Sequence, residues 1–140
     1  NKALETIVVP PDRTAATRQK VPIAVKFAKA FGSTIHVLGL YSTDTKDVRK
    51  LVDSYVEQVG KFMEKASVKH VIKKIDVPKN LTVSTLEYAE SVNADIIVIM
   101  TEQEKALNNW FLGTFAQQML NLSTRPILSL RPEQLVSVAR

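Results

Sequence analysis

Apolar residues along this chain follow two spacings, one typical of buried strands and the other of amphipathic helices. The β-branched runs at residues 6–9 and 95–100 predict buried strands, and the second run is continuous enough for a strand covered on both faces. Between such runs, apolar residues recur every three or four positions, which indicates helices with one buried face. The pattern therefore predicts strands and helices that alternate along the chain.

Five strands and four helices account for most of the sequence. The strands are predicted at residues 6–9, 34–40, 69–77, 95–100 and 126–130. The helices are predicted from Pro22 to Gly32, after the cap candidates at 42–45, after Asn80, and from Gly113 and Thr114. Because such alternation gives parallel strands with right-handed crossovers, the predicted fold class is α/β, an open five-stranded parallel sheet.

The same pattern assigns the buried faces and the loops. The second helix is predicted to bury a long stripe that includes Leu51 and Phe62, and the fourth helix to bury a face that includes Leu120. The polar stretch from residue 101 to 109 is predicted as a loop. Residues 1–132 are predicted to form a single domain, followed by a loosely held tail at 133–140.

Composition excludes several classes of protein. The chain has 140 residues, no cysteine and two histidines, so a disulfide framework, a thiol nucleophile and a histidine-rich metal centre are excluded. The longest apolar stretch, 96–100, is too short to cross a bilayer. The chain starts without a signal-peptide pattern, so the expected location is the cytoplasm. His36 is interpreted as a strand histidine with a satisfied hydrogen bond, and His70 as a surface residue.

The positive charge is concentrated in one segment. The net charge is +5, and six lysines between residues 61 and 79 are opposed only by Glu64 and Asp76. A nucleic-acid-binding segment usually adds arginines or several aromatic residues, which are absent there except for Phe62. We interpret the segment as a solvated helix face followed by an edge strand protected by lysines, and expect no nucleic-acid partner and no membrane partner.

A ligand site is expected where the strands end. In open α/β sheets, ligands bind outside the carboxyl ends of the strands. Three segments should meet there: residues 10–14, 40–42 and 101–114. None of them contains a nucleophile elbow, a Walker loop or a Cys/His pair, so no catalytic residue is predicted.

Several local sequences resemble the universal stress protein family of the UspA type. The matches are residues 7–12, which end in a Pro-x-Asp turn, residues 23–38, residues 86–98, and the segments 113–116 and 125–130. The resemblance covers nearly the whole chain. It implies a Rossmann-like sheet of order 3-2-1-4-5, similar to adenine-nucleotide alpha-hydrolases. It also implies pairing through the last strand, Pro126, Ile127, Leu128, Ser129 and Leu130, as a homodimer or as tandem domains.

The resemblance also implies where a nucleotide would bind. Family members that bind ATP have a motif of glycine, two residues, glycine, nine residues, glycine and Ser or Thr. Gly113 and Thr114 match its end, whereas Thr101 stands where the first glycine is expected. The second glycine position falls on Glu104, eight residues before Gly113, or on Gln103 if the loop is one residue shorter. The nucleotide-binding candidates implied are Pro11, Asp12, Leu40, Thr101, Gly113, Thr114 and Phe115.

The replaced glycines favour one of two predicted functions. The leading prediction is a stress-response domain that acts through dimerisation and contacts with an unknown protein partner, without tight ATP binding, cofactor, metal or enzyme activity. The alternative is a regulatory domain that binds ATP or ADP, with at most slow hydrolysis. Because residues 100–104 are similar to a variant seen in tandem stress proteins, one half of a tandem protein is a further hypothesis. The apolar triplet 110–112 is interpreted as a hydrophobic staple on the fourth helix, or alternatively as a cover over the crevice or a contact with a partner.

Overall fold

The computed structural model describes residues 4–10, 20–41, 46–76, 80–100, 102–104, 109–111 and 114–130. The strands of its main sheet alternate with the helices, as the sequence pattern predicts. The elements are β1 Thr6–Val9, α1 Lys20–Phe31, β2 Thr34–Tyr41, α2 Lys46–Lys65, β3 His70–Asp76, α3 Leu81–Ser91, β4 Ile96–Met100, β5 Glu102–Glu104, β6 Asn109–Phe111, α4 Thr114–Leu122 and β7 Ile127–Leu130. None of these helices is long and apolar enough to cross a membrane.

Five of the strands form one parallel sheet in the order β3-β2-β1-β4-β7. This confirms the α/β prediction and the order 3-2-1-4-5, because β7 is the fifth strand of this sheet. β5 and β6 form a separate antiparallel hairpin between β4 and α4, where a loop was predicted. These two strands have three residues each and lack the apolar alternation that identifies strands in a sequence.

The sheet separates two hydrophobic layers, because successive side chains of a strand point to opposite faces. Ile35 and Val37 of β2 lie in the layer under α1 and α2. Leu38 and Leu40 lie in the layer under α3 and α4. The central strands β1 and β4 are buried on both faces, which explains why their sequences are continuous β-branched runs.

Two glycines allow α2 to approach the sheet closely. A Cβ on Gly39 of β2 would lie 3.0 Å from Val56 Cγ2, and a Cβ on Gly60 of α2 would lie 3.0 Å from Ile72 Cδ1. The part of α2 in contact with the sheet is narrower than the predicted stripe, since Leu51 is 69% exposed and Phe62 43% exposed. On α4, Leu120 is also exposed rather than buried.

Helix ends follow the predicted caps. Gly32 ends α1 with a φ of +68°, a conformation in which a Cβ is unfavourable. The Asn80 side chain accepts hydrogen bonds from the Thr82 and Val83 N–H groups at 2.8 and 3.1 Å, which starts α3. α1 begins at Lys20, two residues before the predicted Pro22, and proline is still accommodated because it lies in the first turn.

Candidate functional site

A crevice is expected between the carboxyl ends of β1 and β4. From β1 the chain continues to β2 on one side, while β4 and β7 lie on the other, so the strand order reverses between β1 and β4. Such a reversal separates the connections that leave the two strands and is where open α/β sheets bind ligands. The floor of this region is apolar, because Val9 and Met100 are both buried.

The structure brings together two of the predicted nucleotide-binding residues. Leu40, near the end of β2, is buried, and Phe115, in the first turn of α4, is half-buried against the same hydrophobic cluster. Thr114 is the first residue of α4, as predicted. The other candidates, Pro11, Asp12, Thr101 and Gly113, lie outside the described residues, as does the predicted tail at 133–140.

A buried lysine at this edge was missed by the sequence analysis. Lys20, the first residue of α1, is fully buried, and its Nζ donates a hydrogen bond to the carbonyl of Pro10 at the end of β1. Burying an ammonium group is costly unless it is hydrogen-bonded or paired. Lys20 therefore places a buried, hydrogen-bonded amine under the carboxyl end of β1. The sequence does not indicate this burial, since Lys20 is the last residue of a polar stretch that is typical of an exposed loop.

A second polar cluster lies at the carboxyl ends of β2 and β3, under the first half of α2. The Tyr41 hydroxyl donates a hydrogen bond to Asp53 Oδ1, and Lys74 Nζ lies 3.3 Å from the same oxygen. Arg49 Nη1 lies 3.0 Å from Asp76 Oδ1, and the Arg49 Cζ stands 4.2 Å from the centre of the Tyr41 ring. The five side chains connect α2 to both strands.

The charge states of these side chains indicate that they hold α2 against β2 and β3 and do not form a catalytic group. Burial, and then the bond to Asp53, raise the pKa of Tyr41 to about 12. The bond from Tyr41 is the largest influence that lowers the pKa of Asp53, followed by Lys74. Tyr41 therefore stays a protonated donor at neutral pH and Asp53 an ionised acceptor, so neither is poised to transfer a proton.

The two histidines have structural environments. The Nδ1 of His36 lies 2.7 Å from the Tyr88 hydroxyl, which confirms the predicted satisfied strand histidine. Burial lowers the pKa of His36 and raises the pKa of Tyr88, so both groups are neutral at pH 7. His70 is half-buried, with its Nδ1 2.9 Å from the Val68 carbonyl. In the part of the chain that the structure describes, no group of three acidic or histidine side chains could hold a metal.

An open groove of about 310 Å³ lies between α3 and the end of α4. Val83, Leu86 and Leu122 form its apolar wall. At one end, Arg125 Nη2 pairs with Glu90 Oε2 at 3.0 Å. The groove is lined from α3 and from the segment that follows α4, so it is separate from the crevice between β1 and β4.

The sheet order and the crevice define the class of open, doubly wound α/β domains. The sequence profile of the universal stress protein family matches residues 3–131, so the chain belongs to that family. No individually curated protein sequence matches the chain.

Solved structures with the same fold include two universal stress proteins with bound nucleotides. A universal stress protein from Archaeoglobus fulgidus is 16% identical with a TM-score of 0.80, and the similarity covers 89% of this chain and 97% of that one. The Archaeoglobus fulgidus protein in complex with dAMP is 16% identical, with a TM-score of 0.73, covering 89% and 96%. A universal stress protein in complex with cAMP is 15% identical with a TM-score of 0.73, covering 93% and 98%. At these identities, the similarity establishes the fold.

Proposed function

We propose that this universal stress protein domain acts in the stress response by pairing its β7 edge with a second domain of the same fold and by binding a protein partner. Tight ATP binding is not required for this role. The observation that carries the proposal is the chemistry of β7, which lies at one edge of the sheet and is half-buried at every residue.

The backbone of β7 has hydrogen-bonding groups directed away from the sheet. The Ile97 N–H donates to the Pro126 carbonyl at 3.0 Å, so the backbone groups of Pro126 face β4. Because successive residues of a strand direct these groups to opposite sides, Ile127 and Ser129 direct theirs to the open edge. An open edge of this kind favours pairing with another strand.

Apolar side chains surround this edge. Ile127 packs against the layer under α3 and α4, while Leu128 and Leu130 pack against the layer under α1 and α2. Leu120 of α4 is 43% exposed and lies roughly 200° around the helix from Gln118, which bonds to Thr82 of α3. Leu120 therefore faces away from α3, where it extends the apolar surface beside β7. A second domain would cover this surface.

A proline at Ser129 tests the pairing directly. Ser129→Pro removes an N–H that points to the open edge, whereas the bonds between β7 and β4 do not use it. We expect sedimentation velocity to show a dimer for the wild type and for Ser129→Ala, and a monomer for Ser129→Pro. Circular dichroism verifies that the proline variant is folded. A wild-type monomer at high micromolar concentration contradicts homodimerisation and favours a tandem arrangement in a longer chain.

Nucleotide binding is the second candidate function. Universal stress proteins of this fold have been solved with dAMP and with cAMP. In this chain Lys20 places a buried amine next to the crevice, and α4 begins at Thr114, where a helix N-terminus favours anions. Opposed to this, the two acidic residues Glu102 and Glu104 follow β4 directly.

Calorimetry with AMP and MgATP distinguishes the two candidates. We expect no heat from MgATP below millimolar concentration, because the first two glycines of the motif are replaced. If micromolar binding is seen, and Asp12→Ala or Gly113→Val abolishes it while the exposed Asp47→Ala does not, the second candidate is the better one. Ligand at 100 times its dissociation constant should then raise the free energy of unfolding by about 2.7 kcal/mol.

A further inference from the structure

The outer edge of β3 is a regular strand with open hydrogen-bonding groups. β3 pairs with β2 without interruption from His70 to Asp76. The Ile35 N–H donates to the Lys69 carbonyl at 3.0 Å, so the backbone groups of residues 69, 71 and 73 face β2. The N–H and C=O groups of His70, Ile72 and Lys74 consequently point away from the described sheet. A further strand added here could form backbone hydrogen bonds with every second residue of β3.

Aliphatic side chains are partly uncovered on both faces of this strand. Val71, on the side of α3, is 42% exposed, and Ile72, under α2, is 40% exposed. Both are β-branched, a type of residue that packs well against a neighbouring strand. An added strand would cover them at the same time as it satisfied the open backbone groups.

The charges on the two faces of β3 differ. Under α2, Lys74 pairs with Asp53 at 3.3 Å and Asp76 with Arg49 at 3.0 Å. On the opposite face, Lys69 and Lys73 flank Val71, both are exposed, and neither makes an ion pair with any described residue. Among the described residues, the uncompensated positive charge therefore lies on one face, at two positions four residues apart.

We propose that the β3 edge binds an extended acidic segment of a partner protein as a sixth strand. The segment carries two carboxylates four residues apart, next to Lys69 and Lys73, and a small aliphatic residue between them on the same face, next to Val71. Backbone hydrogen bonds supply affinity, and the lysines select the charge of the partner. This surface is separate from β7 and from the crevice, so it extends the proposed function without depending on nucleotide or on dimerisation.

The same lysines discriminate against other occupants. In a β3–β3 pair between two copies, lysines of like charge would face each other, which is unfavourable. Lysines on an edge strand thus prevent self-association and at the same time favour an acidic strand. Nucleic acid is disfavoured, because β3 contains no arginine and its single ring, His70, is half-buried with Nδ1 2.9 Å from the Val68 carbonyl.

Backbone hydrogen exchange provides the test. The probe is an end-blocked peptide as long as β3, with two glutamates four residues apart, a valine midway between them and threonines at the other positions. Its control has lysines in place of the glutamates. We expect the glutamate peptide to slow amide exchange at His70, Ile72 and Lys74, while Val71 and Lys73, already bonded to β2, change little. Exchange slowed equally at both sets, or equally by both peptides, overturns the proposal.

Charge reversal provides the matched variants. Lys73→Glu should weaken binding of the glutamate peptide by roughly three- to tenfold, the size expected for reversing one exposed charge pair. Lys29→Glu, on the exposed surface of α1, makes the same change in net charge and should leave the affinity unchanged. Equal effects of the two variants contradict the proposal. The proposal is also contradicted if a single-stranded oligonucleotide slows amide exchange in β3 and the glutamate peptide does not.

Discussion

The two edges of the sheet occupy equivalent topological positions but have opposite surface chemistry. β7 is a four-residue strand whose side chains, Ile127, Leu128, Ser129 and Leu130, are uncharged and half-buried. β3 is a seven-residue strand with lysines on both faces and two exposed aliphatic residues. An apolar edge tolerates a second copy of itself, whereas a basic edge repels one and attracts carboxylates.

The difference arises from how the helices cover each edge. Side chains of β7 reach both hydrophobic layers, since Ile127 packs under α4 and Leu128 on the opposite face. β3 is covered incompletely on both faces, since Ile72 under α2 is 40% exposed and Val71 on the opposite face is 42% exposed. An edge strand covered on both faces tolerates an apolar sequence. An edge strand whose faces are partly exposed needs charged side chains to avoid association with other strands.

The largest expected effect is at the centre of the α2 interface. Gly39→Ala would put a Cβ 3.0 Å from Val56 and 3.4 Å from Val52, both held between α2 and β2. We expect it to lower the free energy of unfolding by about 1–3 kcal/mol, the usual cost of overpacking. Gly60→Ala should change stability by less than about 1 kcal/mol, because Ile72 at the edge can move and alanine favours the helix. Urea unfolding measures both, and a larger loss for Gly60→Ala would mean that β3 is held as rigidly as β2.

A smaller effect on the free energy of unfolding is expected when one aliphatic residue at each edge is truncated. Leu128→Ala removes side-chain atoms that pack against the layer under α1 and α2 and should cost about 1–2 kcal/mol, since the residue is half-buried. Val71→Ala should cost less than about 1 kcal/mol because Val71 is already 42% exposed. Thermal unfolding of the two variants, at a concentration where both have the same oligomeric state, checks the order. Equal losses would remove the distinction in coverage between the edges.

The smallest expected effect is electrostatic and concerns the polar cluster of Tyr41, Asp53 and Lys74 beside β3. The pKa of Asp53 is lowered in the folded state, so its stabilising effect is complete above the ordinary aspartate pKa of about 4 and disappears as the pH falls through the lowered value. Asp53→Asn should therefore reduce stability slightly at pH 7 and hardly at all in strong acid. The same variant should lower the pKa of Tyr41 from about 12, which tyrosinate absorbance measures. An unchanged Tyr41 titration would show that burial alone sets this pKa.

Local sequence patterns were sufficient for much of the fold. The β-branched runs at β1 and β4, the cap at Asn80 and the left-handed Gly32 are each specified within a few residues, and each is confirmed. The β5–β6 hairpin was missed because Glu102–Glu104 carries no apolar alternation, so only its pairing with Asn109–Phe111 reveals it.

The candidate site was less accessible to sequence reasoning. Leu40 and Phe115 lie 75 positions apart in the sequence and were linked only by the family resemblance, whereas the structure places them at one cluster. Lys20 could not be recognised at all, because its burial depends on the Pro10 carbonyl and on the packing of α1 against the sheet.

By itself, the sequence determined the order of the helices and of the strands of the main sheet, the parallel class of the sheet and the family, since hydrophobic period and capping act over a few residues. Tertiary structure alone decided which residues of α2 and α4 meet the sheet, where Lys20 is buried, and which faces of the two edge strands are open. These properties depend on the contact area between distant segments, and that area is defined only when the layers pack together.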